Sequence, residues 1–190
     1  MGFDPLTLQL VPELAKSLVI EDTLTRTSGE PTVLHGRVED GGQEWIVTAK
    51  GATTRVPKSD AASVAKSTVF TFRLRDDIRW HDGHPFDAHD VVFSWSIYGN
   101  PDVKCQARRW QYQKIVSAEA LDTLTVRFVY AEQYFNALTT VGDMFLLPRH
   151  LYDPTDPDHA QADPEFHAAR RAKDPAWKPG PTDVADCVND

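Results

Sequence analysis

The stretch from Val69 to Ser96 constrains the fold most, because it specifies a strand, a turn and a helix in close succession. Phe70, Phe72 and Leu74 alternate with polar residues, which is the two-residue period of a strand with one buried face. Extended chain resumes at 78–80, and residues 81–85 predict a turn in which Gly83 is free to adopt a positive φ. The chain must therefore bring a strand and a helix together here.

The helix start is predicted in detail. Asp87 is placed to cap the helix, and Asp90 follows three residues later, which is the spacing of a capping box. Phe86 and Val91 flank this cap as a hydrophobic staple would. The predicted helix over 88–98 carries an apolar stripe formed by Val91, Val92, Trp95 and Tyr98.

The same stretch resembles the hallmark of the family 5 extracellular solute-binding proteins, the dipeptide-, oligopeptide- and nickel-binding receptors of ABC importers. The matching residues are Thr71, Phe72, Leu74, Arg75, Ile78, Trp80, His81, Asp82, Gly83, Pro85, Phe86, Ala88, Asp90, Val91, Val92, Phe93 and Ser94. Weaker matches to this family occur in the same order at 4–17, 115–128 and 145–152. The resemblance implies an α+β fold with a twisted, mainly antiparallel sheet, the accessory-domain region of a type II-like periplasmic binding protein.

The residue patterns outside the hallmark predict further elements. Residues 18–24 favour a strand, and the alternation over 124–128 favours one that pairs antiparallel with 69–75. Pro12 is expected to open a helix of one or two turns. A helix over 132–141 is expected to bury Phe135, Leu138 and Val141 on one face. Residues 100–109, which are rich in polar and charged side chains, are expected to form a loop.

Residues 29–68 depart from the family pattern. Val33–Val38 and Trp45–Ala49 are predicted to form a hairpin through residues 39–42, whereas 59–66 favours a weak helix or a loop. The segment is interpreted either as an added hairpin on the domain surface or as a docking site for a partner.

The predicted organisation is one domain over 1–152, carrying the 29–68 insertion, followed by a Pro-rich tail over 153–190. In that tail a helix fits only between Pro164 and Lys173. The resemblance implies that the tail leads back to the ligand lobe of a parent protein. We expect the chain to be an internal segment of that protein, with its signal sequence outside the residues given.

Composition narrows the classes of partner. A formal net charge of −8 disfavours nucleic acid. With 41% hydrophobic and 25% charged residues, the chain has the composition of a globular protein. Cys105 and Cys187 either pair in an oxidising compartment or are unrelated thiols, and sequence does not choose between them.

Two clusters invite a chemical interpretation. The first consists of His81, His84 and His89 with neighbouring carboxylates, which are ligand types that zinc or nickel prefers. Turn and cap roles explain Asp82 and Asp90 without a metal ion. No metal site, cofactor or catalytic residue is therefore predicted. Cations and aromatic rings come together in a second cluster, made up of Arg108, Arg109, Trp110 and Tyr112. These residues are either a ligand surface or a partly buried edge, so the ligand-binding residues stay unknown.

The expected function is that of a fragment of the substrate-binding subunit of an ABC importer, not an enzyme. It would capture a peptide or other small solute and deliver it to a membrane permease, as a monomer. Location would be periplasmic or extracellular, associated with the membrane through the permease or a lipid anchor. The alternatives are a protein-interaction module using 29–68 and a metal-binding protein using His81, His84 and His89.

Overall fold

A computed structural model of the chain describes residues 2–3, 10–11, 13–180 and 183–189. Its strands are β1 (Gly2–Phe3), β2 (Leu10–Val11), β3 (Ala15–Arg26), β4 (Val33–Asp40), β5 (Glu44–Ala49), β6 (Ala52–Pro57), β7 (Ala61–Leu74), β8 (Ile115–Asp122) and β9 (Thr125–Tyr130). Its helices are α1 (Ala88–Gly99), α2 (Gln106–Tyr112), α3 (Ala137–Gly142), α4 (Arg149–Tyr152), α5 (His159–Ala162), α6 (Pro164–Lys173) and α7 (Val184–Asn189). A 3₁₀ turn, Lys58–Asp60, joins β6 to β7.

The sheet confirms the predicted α+β class. Seven strands lie in the order β6-β5-β4-β3-β7-β9-β8, and every neighbouring pair is antiparallel. The long pair of β3 and β7 forms its centre, and register shifts near Asp22 let the sheet bend there. The predicted pairing of 69–75 with 124–128 is present, with Phe70 opposite Phe128.

The main core lies on one face of this sheet. Phe70, Phe72 and Leu74 are buried there beside Val126 and Phe128, because alternate residues of neighbouring strands share a face. Burying each such side chain contributes about 1.5–3 kcal/mol. Helix α1 packs across β8 and β9, and its predicted stripe contacts this core.

Helix α1 also has a second buried side, which the predicted stripe omits. Phe93 and Ile97 pack with Val103 and with Ala185 of α7 in a separate apolar cluster. The tail therefore covers the outer side of α1. The predicted helix Pro164–Lys173 is confirmed as α6. The prediction that a helix fits only there is wrong, because short helices, α5 and α7, also fit between the other prolines of the tail.

Residues 29–68 extend the sheet. The predicted hairpin is confirmed as β4 and β5, with Val38 opposite Val47. The prediction of a weak helix or loop over 59–66 is wrong, because most of it is the first half of β7 and pairs with β3. Strand pairing overrides the low strand propensity of its Ala and Ser residues. Leu24, Val38, Val47 and Val56 form a small core of their own beneath these strands.

Three other predictions need correction. Pro12 lies outside the described residues, but 15–17 belong to β3, so the expected helix does not extend there. The helix over 132–141 is shortened to α3, because Ala131 N still donates to Lys114 O and continues the β8–β9 ladder. Phe135 is 90% exposed rather than buried. The stretch 100–109, predicted as a loop, contains the start of α2.

Cys105 and Cys187 do not form a disulfide with each other in this structure. Among the described residues, the structure contains no helix with the length and apolar character needed to span a membrane.

Candidate functional site

The turn and helix cap fold as the sequence predicts. Gly83 has a φ of +90°, and the Asp87 carboxylate accepts hydrogen bonds from His89 N at 2.7 Å and Asp90 N at 3.2 Å. Asp90 returns the contact by accepting from Asp87 N at 3.0 Å. The capping box is therefore complete.

Asp90 also joins two distant parts of the chain. Its buried carboxylate accepts from the Trp80 indole Nε1 at 3.0 Å and from Arg149 N at 2.8 Å. One turn later, Leu147 N donates to Ser94 Oγ at 2.8 Å. These hydrogen bonds hold the 145–152 segment against the first turns of α1. The hallmark residues Trp80, Asp90 and Ser94 therefore have a structural role here.

His84 and His89 line the same small cavity, which His81 does not reach. His84 stacks on His150 with ring centroids 3.9 Å apart and contacts Asp158, whereas His81 and His89 are exposed. Within the described ranges, no group of three or more His, Cys, Asp or Glu side chains is arranged to hold a metal ion.

The stacked pair is instead held by carboxylates. His150 Nε2 lies 2.6 Å from Asp82, and this hydrogen bond is the main reason that the pKa of Asp82 is lowered. Burial alone would lower the pKa of His84, but hydrogen bonds to Asp158 and to the Pro85 carbonyl outweigh it, so that pKa is raised. These shifts favour the charged forms of Asp82 and His84, and the contact of His84 with Asp158 ties the turn to the tail.

Three residues of the cluster at 108–112, namely Arg108, Trp110 and Tyr112, line a groove between α2 and α3. The groove encloses about 570 Å³ and is lined by Ala107, Arg108, Trp110, Gln111, Tyr112, Tyr134, Asn136, Thr139, Thr140 and Asp143. Aromatic rings, amides and hydroxyls thus share one concave surface. One cation and one carboxylate complete the lining, which is typical of a site for a small polar ligand.

Arg109 does not line the groove but holds α2, one of its walls, in place. Its Nε donates to Tyr98 O at 2.9 Å, and its Nη2 donates to Asn100 O at 2.6 Å and Val103 O at 2.8 Å. These bonds fasten α2 to the end of α1. Tyr112 stacks on Tyr98 with ring centroids 4.0 Å apart, and burial raises its pKa.

Exposed aromatic side chains surround the groove. Trp110 is 61% exposed, Phe135 is 90% exposed, and Phe145 is 61% exposed. The Arg108 guanidinium lies 4.1 Å from the centre of the Phe145 ring. The contact with Phe145 holds the Arg108 side chain in place beside the groove.

Of the predicted cluster, the structure thus brings Arg108, Trp110 and Tyr112 to the groove and uses Arg109 for support. Sequence reasoning missed the opposite wall, formed by Tyr134, Asn136, Thr139, Thr140 and Asp143. No motif marks these residues. The one available signal was the aromatic pair Tyr134 and Phe135, of which the sequence analysis places only Phe135, on a buried helix face.

Comparison with known proteins gives consistent results. The family model described as "Bacterial extracellular solute-binding proteins, family 5 Middle" matches residues 9–181. The chain is 31% identical over 116 residues, 60% of its length, to "Probable peptide-binding protein YejA" of Agrobacterium fabrum, covering 18% of that protein. It is 47% identical over 34 residues to "Periplasmic oligopeptide-binding protein OppA" of Salmonella typhimurium, covering 18% of this chain and 6% of that protein.

Among solved structures, NikZ from Campylobacter jejuni in complex with Ni(L-His) matches with a TM-score of 0.48 and 24% identity. That match covers 79% of this chain and 21% of the other. The chain spans less than a fifth of the length of the curated relatives it matches.

Proposed function

The chain belongs to the bacterial extracellular solute-binding proteins of family 5, and from that premise we propose that it is part of the substrate-binding subunit of an ABC importer that captures a peptide. The observation that carries this proposal is the family match over 9–181. A relative described as peptide-binding supports the choice of ligand class. Solute-binding proteins bind their ligands without chemical change, so the prediction that this is not an enzyme is confirmed by the family.

The groove supplies the chemistry that a peptide requires. Gln111, Asn136 and the two threonines of α3 can pair with the N–H and C=O groups of an extended backbone. Trp110 and Tyr134 offer flat apolar faces for side chains. Arg108 and Asp143 carry opposite charges, which suits a ligand with a carboxylate and an ammonium group.

The remaining parts of the function follow from the family role. We propose delivery of the peptide to a membrane permease, a periplasmic or extracellular location, and association with the membrane through the permease or a lipid anchor. The chain would act as a monomer. Family membership favours this function over a protein-interaction module built on 29–68 and over a metal-binding protein built on His81, His84 and His89.

Saturation-transfer NMR tests the ligand class, because it detects weak binding. The chain would be mixed separately with the tripeptide Ala-Phe-Ala, with gluconate and with L-histidine. We expect the tripeptide to receive the strongest saturation, and Trp110→Ala to reduce it by at least half. Val116→Ala, a change at a residue 57% exposed on β8, is the matched control and should leave it unchanged.

Two results would refute the proposal. One is a tripeptide signal no stronger than those of gluconate and L-histidine. The other is an equal loss of signal in the Trp110→Ala and Val116→Ala variants, which would show that the groove is not the site.

A further inference from the structure

Two stacked imidazoles join the turn before α1 to the segment 149–158. The rings of His84, in the turn, and His150, in α4, lie with their centroids 3.9 Å apart. His150 Nε2 lies 2.6 Å from the Asp82 carboxylate, and His84 Nε2 lies 3.2 Å from that of Asp158. Among the residues that the structure describes, every side-chain hydrogen bond or ion pair between this turn and 149–158 involves one of these two rings. Imidazole is the side chain that exchanges a proton near neutral pH, so this attachment can respond to pH.

Both ring nitrogens of His84 face acceptors. Nδ1 lies 3.0 Å from the Pro85 carbonyl oxygen, and Nε2 faces the Asp158 carboxylate. A carbonyl and an ionised carboxylate accept hydrogen bonds but cannot donate them. A neutral imidazole has one N–H and leaves one of these contacts without a proton, whereas the imidazolium has two and satisfies both. The geometry therefore favours the charged form of His84.

The neighbouring ring of His150 is satisfied by a single proton. That proton, on Nε2, is donated to the Asp82 carboxylate. Nδ1 of His150 is buried without a hydrogen-bond partner, so a second proton there would be a buried donor with no acceptor, which is unfavourable. A ring with one proton also stacks on the His84 imidazolium without repulsion between two cations. The pH response is therefore assigned to His84.

The charges around His84 favour its proton. The groups that line the small cavity beside it, in addition to His150, come from α1, α4 and the loop after α4, and they are Asp87, His89, Asp90, Arg149, Asp156 and Asp158. Within its own turn, His84 N donates to Asp82 at 2.9 Å. Most of these groups are carboxylates, and the guanidinium of Arg149 is engaged by Asp153 at 2.9 Å.

The direction of the pH response follows from this environment. Burial alone would lower the pKa of His84, but the hydrogen bonds to Asp158 and to the Pro85 carbonyl outweigh it, and the pKa is raised above 6.5. A histidine whose pKa rises on folding stabilises the folded form fully below 6.5, and this stabilisation is lost as the pH rises through the folded value. The side chains of His84 and Asp158 are 36% and 59% exposed, so solvent screens the contact and keeps its effect small.

We propose that His84, Asp158 and the ring of His150 form a pH-dependent clasp, which holds the turn at 81–85 against 149–158 while His84 is protonated and loosens when His84 loses its proton. A deprotonated His84 keeps one N–H for two acceptors, and its charge attraction to the Asp158 carboxylate disappears. His150 and Asp82 then remain as the attachment. The clasp is separate from the groove between α2 and α3, and it does not depend on the proposed ligand.

NMR of the isotope-labelled chain from pH 5 to 9 tests the clasp. The ring signal of His84, identified by its absence in His84→Gln, reports the protonation of that residue. Solvent exchange of the Gly83 and His159 amides, which donate to Trp80 O and Asp156 O, reports local opening on the two sides of the clasp. We expect His84 to titrate with a midpoint above 6.5. Amide protection, corrected for the intrinsic exchange rate at each pH, should fall with the same midpoint by roughly two- to fivefold, the range expected of an exposed ion pair.

Two variants connect the response to the Asp158 carboxylate. Asp158→Asn should move the His84 midpoint down toward its value in the urea-unfolded chain and remove the pH dependence of the protection. Glu165→Gln is the matched control, because it removes one carboxylate of the tail in α6, outside the clasp, and it should leave both readouts unchanged.

Three results would overturn the proposal. Protection that stays constant while His84 titrates is the first, and protection that follows the midpoint of His150 instead is the second. The third is the same His84 midpoint in Asp158→Asn and in Glu165→Gln. The first two comparisons use the wild-type chain, so they decide the question even if Asp158→Asn fails to fold.

Discussion

Replacing Asp90 tests how strongly one carboxylate holds two parts of the domain together. Asp90 accepts from Trp80 Nε1, Asp87 N and Arg149 N. In Asp90→Asn one oxygen becomes an amide group, which cannot accept, so at least one buried donor loses its partner at a cost of about 1–3 kcal/mol. The remaining bonds lose their charge assistance, and the helix loses a favourable interaction of about 0.3–1 kcal/mol with its N-terminus.

Together these terms predict a loss of about 2–4 kcal/mol in the free energy of unfolding, or roughly 5–15 °C in Tm for a chain of this size. Urea unfolding followed by circular dichroism at pH 7 measures the loss. Asp87→Asn is the matched control, because Asn caps a helix as well as Asp does, and it should change stability by less than about 0.5 kcal/mol. Equal losses in the two variants would refute the fastening role of Asp90.

Three further predictions concern the extended sheet and the core. Lys50 has a φ of +50° in the two-residue turn between β5 and β6. Asn adopts this conformation more easily, so Lys50→Asn should raise the free energy of unfolding, measured in urea, by about 0.5–1 kcal/mol. A lower free energy of unfolding would contradict the assigned turn. Hydrogen bonds, first that of Ser28, lower the pKa of Asp60 from 3.8 to about 2. The stabilisation that the Asp60 carboxylate provides is therefore present above pH 3.8 and is lost as the pH falls through about 2. The difference in free energy of unfolding between wild type and Asp60→Asn should close over that range. A constant difference would contradict the lowered pKa of Asp60. Phe135→Ser should leave stability within about 0.5 kcal/mol, whereas Phe128→Ala should cost about 3–5 kcal/mol, and similar losses would show that Phe135 is buried.

The local patterns with a strong physical cause were predictable from sequence. The cap at Asp87, the turn at Gly83 and the alternation in 69–74 follow from steric and hydrogen-bonding rules that act within a few residues. The hairpin over 33–49 was found because two glycines mark its turn. Strand β6 was missed because the Lys50–Gly51 turn before it carries a much weaker signal.

The errors arose where distant pairing decides the structure. Residues 61–66 form a strand only because β3 lies beside them. Phe135 is exposed because it lies in the turn before α3 and not on a helix face. The sequence drew attention to Arg108, Trp110 and Tyr112, which line one wall of the groove, but it left open whether they form a ligand surface or a partly buried edge. The second wall of the groove comes from residues about 25 positions later, and no local rule connects the two.

The central claim, that the groove between α2 and α3 contacts a peptide, is tested most directly by mapping amide shifts. The ¹⁵N-labelled chain would be titrated with Ala-Phe-Ala to about 10 mM, which detects a Kd near 1 mM, or about −4 kcal/mol. We predict that the shifted amides cluster at 107–112 and 134–143, and that Trp110→Ala at least halves the shifts. Shifts confined to 29–68 or scattered over the sheet, or no shifts at all, would contradict the account.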